Sequence, residues 1–180
     1  MTLRSAVERR RSWPKVTDAA PTHDELLPLV EAAASVADHG SLRPWRLIEL
    51  RGDPRERLGV ALAAAAGLEG SAAEKLAAKP LRAPLLIAIV ACRKPSHKVP
   101  HWEQDATAAG VGHLLSLLLD DAGWGVIWRT GGHTRSKQVR KMHHLAENEE
   151  LLGWLYVGGM PEPGNVPRRG IDPEEFISAL

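Results

Sequence analysis

Hydrophobic and polar positions divide this chain into four short apolar runs separated by stretches with helical spacing. The runs at 45–51, 84–92, 124–129 and 151–157 read as strands, each bounded by turn formers or charged residues. The second contains Leu85-Leu86-Ile87-Ala88-Ile89-Val90-Ala91-Cys92, apolar throughout, the pattern of a strand covered on both faces. Between the second and third runs lies the longest helical pattern, 103–122, with Leu and Ala on nearly every side. Such a helix is expected to bury against its own sheet and against a second surface. Gly123 is placed to close it, and Gly110 and Gly112 would admit another backbone.

Helix starts are marked by capping patterns. Asp53-Pro54-Arg55-Glu56 offers an N-cap acceptor, a proline at the first helical position and a glutamate three residues after the cap. Ser71-Ala72-Ala73-Glu74 and Asp172-Pro173-Glu174-Glu175 have the same form. Thr22-His23-Asp24-Glu25 does too, but Pro28 follows closely, so either Asp24 is the cap or the helix begins irregularly. The predicted order is two helices, strand, two helices, strand, long helix, strand, helix, strand and a terminal helix. Few strands among many helices indicate an α+β fold of two or three layers. A single domain over 1–180 suits the length. The segment 158–170, with its prolines and glycines, reads as an extended tail able to reach a neighbouring subunit.

Composition narrows the function by exclusion. A formal net charge of +1 gives no global field for nucleic acid or an anionic membrane. The one basic concentration, Arg4, Arg9, Arg10 and Arg11, is on charge alone a solvated helix face. The single cysteine, Cys92, excludes an internal disulfide and lies in a run where packing is its expected role. No signal peptide is visible and no apolar run is long enough to span a bilayer, so a cytoplasmic location is expected.

The connectors carry the chemistry. Asp38-His39-Gly40-Ser41-Leu42-Arg43-Pro44-Trp45-Arg46 holds a histidine, two arginines and a tryptophan where a plain turn needs only turn formers. Arg10-Arg11-Ser12 sets two planar guanidinium forks and a hydroxyl at a helix end, donors suited to a phosphate. Trp128-Arg129-Thr130-Gly131-Gly132 follows the third strand, where two glycines let the backbone approach a planar ring. Together they point to an anionic, aromatic ligand. His97 and His101 are four apart, but Pro100 intervenes and no acidic partners are arranged for zinc. His143-His144 reads as part of a basic, exposed helix with Lys137, Arg140 and Lys141. Gly110-Val111-Gly112 lacks the third glycine and the preceding strand of a dinucleotide fingerprint. No P-loop, serine elbow or carboxylate dyad stands out.

These segments together resemble the nitroreductase family of flavoproteins. That family opens with Arg-(Arg/His)-Ser after its first helix, as at Arg10-Arg11-Ser12, and continues with a loop ending Gln-Pro-Trp, as at His39 to Trp45. The resemblance is strongest to a compact subgroup of small bacterial FMN-dependent NAD(P)H nitroreductases. His97 to Gln104 and Val126 to Gly131 are similar to two further motifs of that subgroup. The likeness runs from about Ala6 to the terminus.

The resemblance implies a central mixed or antiparallel sheet of four to five strands flanked by helices. It also implies an intertwined homodimer with two FMN at its interface. In it Arg10, Arg11 and Ser12 hold the ribityl phosphate and flavin edge, and His39 and Arg43 reach in from the other subunit. Trp128, Arg129 and Thr130 complete the site. NAD(P)H is the implied electron donor, with nitroaromatics, quinones or related small molecules as acceptors in a ping-pong cycle. The chemistry lies at flavin N5, so no catalytic side chain, metal, membrane or nucleic acid is called for. The chain departs from the subgroup in two places. Arg43 stands where the subgroup has Gln, and Lys15, or Arg168 and Arg169 in the tail, is expected to replace a cation usual after the serine. A flavin-binding storage or sensor protein would keep the same contacts without turnover. A nucleic-acid module built on Arg4 to Arg11 ranks last, lacking aromatic platforms.

Overall fold

A computed structural model describes residues 2–161 and 170–179. Four strands, β1 (Trp45–Leu50), β2 (Leu85–Cys92), β3 (Trp124–Arg129) and β4 (Glu149–Gly159), form one sheet in the order β1-β2-β4-β3. Every neighbouring pair is antiparallel. The helices are α1 (Leu3–Arg9), α2 (His23–Ala33), α3 (Asp53–Ala65), α4 (Gly70–Ala77), α5 (His101–Asp121) and α6 (Lys137–Met142). The expected α+β class and the four strands are found, with β4 longer at both ends than its apolar run.

The sheet separates two cores. On one face Leu85, Ile87, Ile89, Val126, Leu155 and Val157 pack against α2 and α5. On the other, Leu86, Ala88, Val90, Trp154 and Tyr156 meet Leu58 and Leu62 of α3 and Val139 of α6. Strand side chains alternate between faces, so a strand covered on both sides must be apolar at every position. That is why β2 has no polar residue, even though its neighbours run antiparallel. The alternation in β4 is interrupted where Ile89 pairs with Gly153 and Val90 with Leu151, leaving Leu152 as the extra residue of a bulge.

Thr22 is the cap of α2, with its side chain accepting from the Glu25 N–H and the Glu25 carboxylate accepting from the Thr22 N–H. Pro28 is accommodated inside that helix. At α3 the cap is Gly52, at φ 56°, and Asp53 begins the helix rather than capping it. Asp53 and Glu56 in the first turn still complement the helix dipole. Helix α4 likewise starts one residue before Ser71, without a side-chain cap. Gly123, at φ 88°, follows Ala122, the C-cap of α5, and closes the helix as expected.

Two further expectations about the fold need correction. The predicted terminal helix is a single 3₁₀ turn, Pro173–Glu175, in which Asp172 accepts from the Glu174 N–H. One isolated turn has no apolar face to bury, and Phe176 and Ile177 beside it are exposed. Gly110 and Gly112 admit side chains, not another backbone. A Cβ on Gly110 would lie 2.5 Å from Val36 Cγ2, and one on Gly112 would lie 2.5 Å from Ile89 Cδ1. Backbone approach occurs at Gly59, where a Cβ would lie within 3 Å of the Ala77 carbonyl, so α3 and α4 touch. Of the predicted tail, Gly158 and Gly159 belong to β4, whereas 162–169, including Arg168 and Arg169, lie outside the described residues.

Candidate functional site

The sheet positions the candidate residues in two groups. Strand β3 delivers Trp128, Arg129 and Thr130 to the rim of a cavity of about 740 Å³. Its floor is Ile127, Trp154 and Tyr156 from β3 and β4, and its far wall is α3 and α4 with the turn that follows. The chain after α1 runs beside the same strand, because the Trp13 N–H donates to the Val126 carbonyl at 2.9 Å. Arg10, Arg11 and Ser12 therefore approach β3 from its outer edge. Arg11 also donates to the carbonyls of Glu8 and Arg9, closing the end of α1.

His39 and Arg43 lie elsewhere. They precede β1, the opposite edge strand, at the same end of the sheet as Thr130. Three strand spacings of about 4.8 Å place that edge about 14 Å away. A single chain thus does not bring all eight predicted residues together. The His39 ring is pinned by the Glu103 carboxylate, its Nδ1 lying 2.8 Å from Oε2. Asp38 organises the rest of the loop, accepting from the N–H groups of Leu42 (3.1 Å) and Arg43 (2.7 Å). Ser41 and Arg43 are consequently held at φ 51° and 48°, a left-handed geometry costly for residues with a Cβ. Such a loop presents an exposed Arg43 without an ion-pair partner among the described residues. Lys15 is exposed as well.

The two faces of β3 at the rim carry unusual contacts. Trp128 leans on His113, ring centroids 4.8 Å apart, and a Cβ on Gly112 would lie 3.1 Å from its ring. Its indole nitrogen sits against Gly153, where a Cβ would approach to 2.6 Å, and it is buried with no hydrogen-bond partner. Arg129 stacks over Tyr156 at 5.4 Å, and its buried Nε also lacks a partner. Burial pushes the Tyr156 hydroxyl pKa up, against the opposing pull of Arg129 and Arg82. Beyond β3, Gly131 at φ 152° turns the chain, and its carbonyl accepts from the Thr134 hydroxyl at 2.9 Å. The Trp128 indole thus lies on the α5 face of the sheet, whereas the orphaned Arg129 donor lies beside the aromatic floor, where it fits a planar ligand with acceptor groups along its edge.

Lys75, Lys79 and Arg82 also line the cavity, with His133. The motifs do not reveal them, although their i, i+4, i+7 spacing was available as a signal. Two polar supports were missed too. Gln104 is fully buried, accepting from the Lys94 N–H and donating to the carbonyls of Lys94 and Val99, so it ties down the loop before α5. His143 belongs to the core rather than to an exposed basic helix, since its ring accepts from the Trp154 indole.

Cys92 is half-buried and donates to the Glu149 carboxylate at 3.3 Å, which Arg46 grips bidentately at 2.6 and 2.8 Å. Burial and the neighbouring carboxylate push the thiol up to about 12, and the Arg46 contacts hold Glu149 down to about 2. This pairing leaves the thiol structural, as its run suggests. No helix among the described residues is long and apolar enough to cross a membrane.

Comparison with known proteins gives one consistent result. The Nitroreductase family profile matches residues 7–159. A protein of Escherichia coli strain K12, provisionally named NAD(P)H nitroreductase YdjA, is 34% identical over 94% of each chain. A Haemophilus influenzae protein, provisionally named an NAD(P)H nitroreductase, is 30% identical over 95% of each. Among solved structures, a nitroreductase-like family protein from Bacillus cereus superposes with a TM-score of 0.86 at 20% identity, covering 100% of this chain and 96% of that one. The FMN and NADPH-dependent nitroreductase NfnB from Sphigopyxis sp. strain HMH does so with a TM-score of 0.77 at 19% identity, covering 100% and 99%. The structural likenesses carry the fold.

Proposed function

Because the chain belongs to the nitroreductase family, we propose that it is an FMN-dependent oxidoreductase that takes electrons from NAD(P)H and passes them to small acceptors such as nitroaromatics or quinones. The observation that carries this reading is the β3 rim. Trp128, Arg129 and Thr130 border an aromatic-floored cavity, and the buried Arg129 Nε, stacked over the Tyr156 ring of its floor, has no hydrogen-bond partner. Bound FMN supplies two-electron transfer between nicotinamide and acceptor.

The chain's own residues bind and orient. Arg10 and Arg11, with Ser12, offer charge-assisted donors for the phosphate end from beside β3. The rim offers a flat surface and edge donors for the ring. His39 and Arg43, on the far edge of the sheet, reach a cofactor at β3 only from a second copy. The reading therefore includes a homodimer whose sites are shared across the interface. A cytoplasmic location, expected from the single cysteine, belongs to the same reading.

The test is the spectrum of the purified protein and its mass in solution. A yellow dimer whose flavin bleaches on anaerobic NADH or NADPH is the expected result. A yellow protein that stays yellow would instead be a flavin carrier. A colourless monomer that ignores added FMN would overturn the proposal.

A further inference from the structure

The far wall of the cavity has a charge pattern that the cofactor reading does not use. Lys75 on α4 and Lys79 and Arg82 in the following turn face the cavity opposite the β3 rim, with Arg129 and His133 at its side. No aspartate or glutamate lines it. Among the described residues none of the four fixed cations has an ion-pair partner, whereas Arg9, Arg46, Arg51, Arg93 and Arg135 each do. The whole chain carries only +1, so this is a local concentration rather than a reflection of overall basicity. Uncompensated like charges around one cavity repel one another, and a bound anion relieves that repulsion. The lining beneath them is apolar and aromatic: Leu62, Leu76, Ile127, Trp154 and Tyr156. An apolar slot crowned by cations selects a flat ring bearing a negative group.

We infer that this cavity selects a planar aromatic carboxylate as the electron acceptor, with Lys75, Lys79 and Arg82 holding the carboxylate against the Trp154–Tyr156 floor. The word acceptor rests on the oxidoreductase reading; the binding of the planar anion does not. Lys75 and Arg82 are exposed, so replacing them leaves the core intact.

The experiment uses quenching of tryptophan fluorescence, since Trp128 and Trp154 line the cavity. The probes are 4-nitrobenzoate and the uncharged 4-nitrobenzyl alcohol, titrated into the full chain with and without saturating FMN. Nitrobenzoate is expected to bind about tenfold more tightly than the alcohol. That preference should fall to about parity in Lys75→Gln/Arg82→Gln, and by an intermediate amount in Lys75→Gln alone. FMN content, read from the visible spectrum, is measured on every sample. Equal affinity for the two probes would overturn the inference even if the protein is yellow and active. So would loss of nitrobenzoate binding on adding FMN together with weakened FMN binding in the double variant, because the cations would then serve the cofactor. A colourless protein that still prefers nitrobenzoate would sink the flavin proposal and leave the anion cavity standing.

Discussion

Trp154 donates its indole N–H to His143 Nε2 at 3.0 Å, and His143 Nδ1 lies 2.9 Å from the Val139 carbonyl. A carbonyl can only accept, so Nδ1 carries the proton and Nε2 is free to receive the indole. The neutral ring thereby links α6 to β4 and holds one floor residue of the cavity in place. Protonation would give Nε2 a hydrogen and destroy the acceptor.

Burial lowers the His143 pKa below its ordinary 6.5. The unfolded chain therefore takes up a proton at a pH where the folded chain does not. The stabilising contribution is complete above about pH 6.5 and is lost as pH falls through the lower folded value. Thermal melts should show the midpoint declining below pH 6.5, with that portion of the slope absent in His143→Gln. His143→Ala should lower stability by about 1–3 kcal/mol, because the buried Trp154 N–H loses its acceptor. Superimposable pH profiles for wild type and His143→Gln would refute the linkage.

A second acid dependence lies lower on the pH scale. Glu149, held down to about 2 by Arg46, stabilises the fold fully above its ordinary 4.5 and loses that contribution as pH falls through 2. Arg46→Gln should flatten the stability profile between those values. The Cys92 thiol, pushed up to about 12 from 9.0, should react with iodoacetamide at pH 8 about a thousandfold more slowly than a free thiol. Rapid labelling of the native protein would show that Cys92 is not kept buried beside Glu149 in solution.

Gly59→Ala tests the contact between α3 and α4. The added methyl would meet the Ala77 carbonyl well inside van der Waals distance, and backbone cannot rotate away as a side chain can. A loss of about 1–3 kcal/mol is expected in chemical denaturation. Because α4 carries Lys75, ligand binding at the cavity should weaken in the same variant. An unchanged unfolding midpoint would mean that the two helices are not in contact there.

Arg43→Gln replaces a permanent cation with an amide on the strained loop. If Arg43 contributes to a phosphate site across the dimer, FMN should dissociate about tenfold more readily, measured by fluorescence recovery of released flavin. The effect should shrink as salt rises, as for any partly exposed charge. Unaltered FMN affinity would remove Arg43 from the phosphate site.

Much of the framework could be read directly. The uniform apolarity of β2 announced a strand buried on both faces, and the Leu- and Ala-rich stretch before Gly123 announced α5. The reading stopped where geometry depends on partners distant in sequence. Asp53 looks like a cap, yet Gly52 at φ 56° takes that position, because which residue adopts the unusual backbone depends on how the strand enters the helix. His143 looks like one more basic residue beside Lys141, and only its placement under Trp154 makes it a buried neutral acceptor.

By itself the sequence determined the class of fold, the four strands, the long helix and the loops that carry charge. Those properties arise from periodicity and backbone chemistry over neighbouring residues. The tertiary structure decided which of those loops share an edge of the sheet. It set Arg10–Ser12 and Trp128–Thr130 beside β3, put His39 and Arg43 on the opposite edge, and gathered Lys75, Lys79 and Arg82 around the same cavity. Strand order and register create those neighbourhoods, and both depend on pairings between residues far apart in the chain, which no local pattern encodes.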